Sequence, residues 1–236
     1  MFLSAIATAL AFGAGLAGAG STTSDCVGVT DPWKLYGDRV AFEVRREGRR
    51  VGFHETRFDW QGDFLRVTSE MRLTVKFLFV PVYEFRYEAE ELWCDDALYT
   101  LEAAVNDNGE RKAFSVRRHG PQLLIDGDER KTIPGDVVTT NHWNPVVLDD
   151  RVVLNTLTGK LNKVEIEPVA IETVETLNGP IEATRYRYSG DLETEAWYDE
   201  QGRWVKLRFK ARDGSTVEYV CITCDAGEPD TGGQSS

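Results

Sequence analysis

The sequence predicts an all-β protein, a long antiparallel meander curled into a barrel or half-barrel. Three observations carry this. Apolar and polar residues alternate with period 2 through most of the chain, which puts one face of each strand on a core and the other in water. Turn residues such as Asp107-Asn108-Gly109, Asn178-Gly179, Gly190-Asp191 and Asp213-Gly214 separate the runs, at a spacing of roughly 10–15 residues that suits hairpins. No long segment of 3.6-residue period intervenes, which argues against alternating βαβ units.

Taken in order, residues 1–19 hold no charged side chain and end in Ala17-Gly18-Ala19. This small-residue pattern after an apolar run predicts a cleaved signal peptide, and so a periplasmic or secreted protein. Cys26 follows Ser24-Asp25, which is not a lipidation box. Residues 20–30 read as a flexible lead-in, rich in Ser, Thr and Gly. Residues 31–224 read as one β domain. Val40, Phe42 and Val44 form one inward face; Val67, Ser69, Met71, Leu73, Val75 and Phe77 form another; Tyr83, Phe85, Tyr87 and Ala89 a third. Residues 136–150 break the pattern and predict one short irregular or helical segment. In the last hairpin Val205, Leu207, Phe209 and Ala211 are in phase, Trp204 is out of phase with them, and Trp197 sits among Glu193 and Glu195. An aromatic on the charged face is either an ordinary cross-strand pair, the favoured reading for both tryptophans, or part of a second apolar surface. Residues 225–236 read as a disordered acidic tail. The longest later apolar stretch, 77–82, contains Pro81 and is too short to span a bilayer, so no stable span is expected after signal cleavage.

The 236 residues carry 27 Lys and Arg against 39 Asp and Glu, a net charge of −12. That balance argues against nucleic acid as a partner, because phosphate-backbone binding needs a basic face. Four cysteines in an exported chain predict two disulfides. Three pairings are possible, and Cys26–Cys94 with Cys221–Cys224 is favoured over cross-links that tie the termini to the sheet. A redox role for Cys221-Ile222-Thr223-Cys224 would want a helix N-terminus, and here the pair ends a strand. A zinc site would need more ligands than Cys26, Cys94 and three scattered histidines offer, so no metal and no cofactor is expected.

The candidate chemistry is thin. His142 lies in the irregular segment beside Asn141, Trp143 and Asn144, with Asp149 and Asp150 downstream. It would serve acid–base work if it met a carboxylate; otherwise it belongs to a loop packed by Trp143. His54 and His119 are expected to face solvent. Glu88, Glu90, Glu91, Asp95 and Asp96 are expected on solvated strand faces and turns. No nucleophile elbow, zinc-binding helix or phosphate-cradling glycine loop occurs, and no catalytic residue is assigned.

The order of signals resembles an uncharacterised family of exported bacterial proteins, a domain of unknown function. The carriers are Gly52 after the opening hairpin, Phe79-Val80-Pro81-Val82-Tyr83 leading to Tyr87-Glu88-Ala89 and Trp93, then Asp107-Asn108-Gly109 and His142-Trp143-Asn144. Leu154-Asn155-Thr156-Leu157-Thr158-Gly159, Gly190-Asp191-Leu192, Trp197-Tyr198-Asp199 and Gly202-Arg203-Trp204-Val205 complete them. The resemblance implies a long sheet curled on itself, distantly similar to periplasmic half-barrels that hold lipid or lipoprotein acyl chains. It implies no catalytic residues. On this basis the expected role is a scaffold binding an apolar or lipid-like ligand in a concave interior, with Phe79, Tyr83, Tyr87, Trp93, Trp143 and Asn155 as candidate contacts. The alternative is an envelope structural or protein-interaction module with a filled core. The third reading is an enzyme centred on His142.

Overall fold

The computed structural model describes Cys26 and residues 30–225. The expected signal peptide, the lead-in apart from Cys26 and Thr30, and the tail beyond Asp225 lie outside the described residues. A short helix, α1 (Pro32–Tyr36), opens the fold and is followed by β1 (Arg39–Arg46), β2 (Arg49–Gln61), β3 (Phe64–Phe77), β4 (Val80–Cys94), β5 (Ala97–Asp107) and β6 (Glu110–His119). Short strands β7 (Gln122–Asp126), β8 (Lys131–Pro134), β9 (Val138–Thr139) and β10 (Val152–Leu154) come next, with a 3-10 helix, Pro145–Asp149, between the last two. The chain closes with β11 (Leu161–Thr176), β12 (Gly179–Gly190), β13 (Thr194–Asp199), β14 (Trp204–Lys210) and β15 (Thr216–Thr223).

These form one 15-stranded sheet in the order β8-β7-β6-β5-β4-β3-β2-β1-β15-β14-β13-β12-β11-β10-β9. The all-β expectation holds, and the sheet is curled rather than closed into a barrel. Chain-consecutive strands pair as antiparallel hairpins almost throughout, which is what the turn signals encode. The exceptions are β1 against β15, which seats the first and last strands side by side, the parallel β9–β10 pair, and β8 and β9, which follow each other in the chain but form the two opposite edges of the sheet. Strands β7 to β10, of two to five residues, are too short to show a period in the sequence.

Curling puts one apolar core on the concave side. Phe42, Phe58, Val67, Tyr87, Trp93, Leu101, Trp143, Ala196 and Trp204 are all buried there. The irregular segment at 139–144 enters the curl rather than skirting it. Trp143 packs edge-on against Phe58 and Trp93, at ring separations of 5.5 and 5.8 Å. α1 is fixed by Asp31, whose side chain accepts from Trp33 N, and it ends at Gly37. Its buried Tyr36 then donates its hydroxyl to the Trp143 carbonyl and accepts from Trp204 N, both at 2.9 Å. Sequence periodicity missed this helix because five residues are barely more than one turn.

Trp204 corrects the phase expectation. The β13–β14 register slips between Trp197 and Tyr198, so that Trp204 pairs with Tyr198 while Lys206 pairs with Trp197. One extra residue in β14 therefore returns Trp204 to the core side, with Leu207. Trp197 stays on the charged face and is buried there by Lys206 and Arg208, 5.0 and 5.2 Å above its ring. Two disulfides, Cys26–Cys94 and Cys221–Cys224, match the favoured pairing.

Candidate functional site

A cavity of about 260 Å³ opens on the concave side, where the curl is not filled. Its walls come from β2 and β3 (His54, Met71), β4 (Tyr87), β14 and β15 (Trp204, Leu207, Phe209, Tyr219), and its rim from Asn155, Leu157 and Leu192. Thr140, Asn141 and His142 of the inserted segment supply the floor.

Two histidines flank Trp204. Its ring lies 5.6 Å from His54 and 5.4 Å from His142. His54 corrects the solvent-facing expectation: it is directly opposite Phe42 on β1, and therefore on the apolar face. Its Nε2 lies 3.4 Å from Thr56 Oγ1, which in turn meets Ser69 Oγ at 3.0 Å, while its buried Nδ1 has no hydrogen-bond partner. His142 Nδ1 is 3.4 Å from both the Tyr188 and Tyr198 hydroxyls, and Tyr198 also donates to the His142 carbonyl at 2.9 Å. Burial lowers the His54 pKa to about 3, helped by the nearby His142, and lowers that of His142 to about 4. Both imidazoles are neutral at pH 7.

A carboxylate is buried one layer deeper. Glu91 corrects the solvated-face expectation, with no exposed surface. Asn141 Nδ2 donates to its Oε1 at 2.7 Å and Trp93 Nε1 to its Oε2 at 2.8 Å. Tyr87 then donates to Asn141 Oδ1 at 3.1 Å, joining this network to the cavity wall. Desolvation raises the Glu91 pKa to about 7, against the pull of these hydrogen bonds. His142 is held by tyrosines and Glu91 by Asn141 and Trp93, so the described contacts form no His–carboxylate pair. Among the described residues no group of three or more His, Cys, Asp and Glu side chains is placed to hold a metal ion.

Of the six candidate contacts, the cavity brings together Tyr87 and Asn155. Trp93 and Trp143 lie in the core beneath it. Tyr83 is half-buried on β4 beside Asp107, and burial followed by that hydrogen bond raises its pKa to about 12. Phe79 is 94% exposed at the β3–β4 turn, far from the concave face. Sequence reasoning missed His54, Trp204 and Glu91 as interior residues. For His54 and Glu91 the signal was strand phase: Phe58 continues the phase of His54, and Tyr87 and Ala89 that of Glu91, yet the polar residue type was read as an outward face.

A search of curated proteins finds no match. Among solved structures the fold is similar to a β-barrel-like protein of a domain of unknown function, DUF1849, from Brucella abortus. The TM-score is 0.56 at 7% identity, with 82% of this chain and 98% of that one covered. The likeness is one of fold. A family profile described as a domain of unknown function, DUF6134, matches residues 42–222, from the first core strand to the last, and the chain belongs to that family.

Proposed function

We propose that this chain is an exported binding module that holds a small apolar or aromatic group, or the end of a lipid-like chain, in the concave cavity. The observation that carries this reading is the lining. Met71, Trp204, Leu207, Phe209 and Tyr219 surround the space, and the two histidines among them are held neutral. An apolar wall with a few oriented polar groups is the usual make-up of a ligand site. The volume sets the size. At about 260 Å³ it lies just under the roughly 300–1,000 Å³ of common ligand pockets, so a whole long-chain lipid does not fit inside it. Export is supported by the apolar 1–19 segment and by the two disulfides, which persist in oxidising compartments. Among the described residues no helix is long and apolar enough to cross a membrane.

The test is native mass spectrometry of the protein purified from its own cells, followed by organic extraction, together with a titration of tryptophan emission by decanoate. The expected result is an extractable apolar adduct or a saturable emission change, either one weakened at least tenfold by Leu157→Trp at the rim. A clean unliganded mass together with flat emission counts against the reading and returns the weight to an interaction module.

A further inference from the structure

The β3–β4 hairpin outruns the rest of the sheet. Pairing of β3 with β2 ends at Leu73, and pairing of β4 with β5 ends at Phe85. Beyond these points the two strands pair with each other up to Phe77 and Val80, with Glu84 at the base also tied to the β5–β6 turn: its carbonyl accepts from Asn108 N at 2.7 Å and its N–H donates to Asn108 Oδ1 at 3.4 Å. Four residues of overhang make a projection of about 14 Å. Its end is apolar: Phe77, Leu78, Phe79, Val80 and Val82 are all exposed. Leu78 and Phe79 hold φ of 47° and 72°, the left-handed region, where other hairpins of this chain place Glu47-Gly48 or Asn108-Gly109. Bulky apolar residues adopt that backbone at a conformational cost that a merely connecting turn avoids.

At the root of the projection, between the start of β2 and the end of β3, lies a cleft of about 670 Å³ bearing Arg46, Arg49, Arg50, Lys76 and Glu47. Arg46 is paired with Asp213, Arg50 reaches Glu43 at 3.5 Å, and the Glu47 carboxylate accepts from Thr216 N. Arg49 and Lys76 are exposed and have no ion-pair partner among the described residues. Glu84, exposed on β4, is the one acidic side chain on the overhang itself. In a chain of net charge −12 this is a cationic collar behind an apolar tip.

We propose that the β3–β4 projection inserts into the surface of an anionic phospholipid bilayer, with Arg49 and Lys76 meeting the lipid phosphates. Three features select this occupant. The exposed apolar residues cap the whole end of the hairpin, with Phe77 and Val80 paired across the strands and Leu78 and Phe79 at the turn, which suits a fluid that surrounds the tip. Pro81 removes a backbone donor from β4, which disfavours a second copy adding a strand along that edge. The collar adds the charge that draws a surface segment to anionic headgroups, and an apolar wedge with cations behind it sits naturally at the depth of that interface.

The test uses the full chain with Phe79→Trp, so that the readout sits on the tip. Vesicles of mixed phosphatidylglycerol and phosphatidylcholine carry brominated acyl chains, and the parent chain supplies the background. The expected result is a blue-shifted, bromine-quenched emission component that the parent lacks. Adding Arg49→Gln and Lys76→Gln raises the lipid concentration for half-quenching by about 25-fold, from roughly fivefold per basic residue. Circular dichroism checks that each variant is folded. Emission that stays unshifted with these vesicles overturns the proposal, as does quenching indifferent to the two charge removals. A blue shift that needs no vesicles and grows with protein concentration also overturns it, and assigns the tip to a second copy.

Discussion

Glu91 and the two buried histidines act on stability in opposite directions. Unfolded, a histidine takes up a proton near 6.5, whereas His54 and His142 in place do so only near 3 and 4. As pH falls from 6.5 to 4.5 the unfolded chain therefore gains two protons that the folded one refuses. Glu91 runs the other way: unfolded it ionises near 4.5, and folded it keeps its proton to about 7. Its contribution is greatest below 4.5 and is lost as pH rises through 7. Two protons minus one leaves one, so stability should fall by about 1.4 kcal/mol per pH unit on acidification through this window. Glu91→Gln removes the opposing term, and the fall should be about twice as steep. Urea melts from pH 4.5 to 6.5 check this; equal slopes in the two proteins would contradict the burial of an ionisable Glu91. None of these shifts follows from residue type. Each needs the desolvation that comes only when the strand closes onto the core.

At the scale of elements, Gly52 shows why a turn signal and a close approach can be hard to separate. A Cβ on Gly52 would stand 1.8 Å from the Arg72 carbonyl oxygen of β3. That contact is backbone and cannot move aside. Gly52→Ala should cost about 3 kcal/mol, well above a surface change, and should leave the fold otherwise unaltered. A urea midpoint equal to that of the parent would mean that β2 and β3 lie farther apart than described. Long strands were legible because their alternation runs unbroken for many residues, as in β3 and β4. The bulge in β14 was not, since one added residue flips Trp204 to the other face without leaving a mark in composition.

For the whole molecule, the two disulfides close very different lengths of chain. Cys26–Cys94 closes 68 residues and ties the N-terminal segment to the end of β4. Cys221–Cys224 closes only 3 and pins the end of β15. Loop entropy makes the first worth up to about 4 kcal/mol and the second roughly half that. The double variant Cys26→Ser/Cys94→Ser should therefore lose more stability than Cys221→Ser/Cys224→Ser, read as urea midpoints of the oxidised proteins. The reverse order would mean that the long bridge is strained or that its loop stays compact when unfolded.

The all-β class, the hairpin order and the existence of two disulfides follow from the sequence by itself, because alternation, turn residues and cysteine number are local properties. The cavity does not. It exists because the sheet curls without closing, and because residues 139–144 fold back into the curl and fill only part of it. Which polar side chains become neutral interior groups, and which apolar ones stay in water at the β3–β4 tip, depends on where each strand outruns its neighbours. That is set by pairing between distant segments, and a period-2 pattern, identical on a buried strand and on an overhanging one, does not encode it.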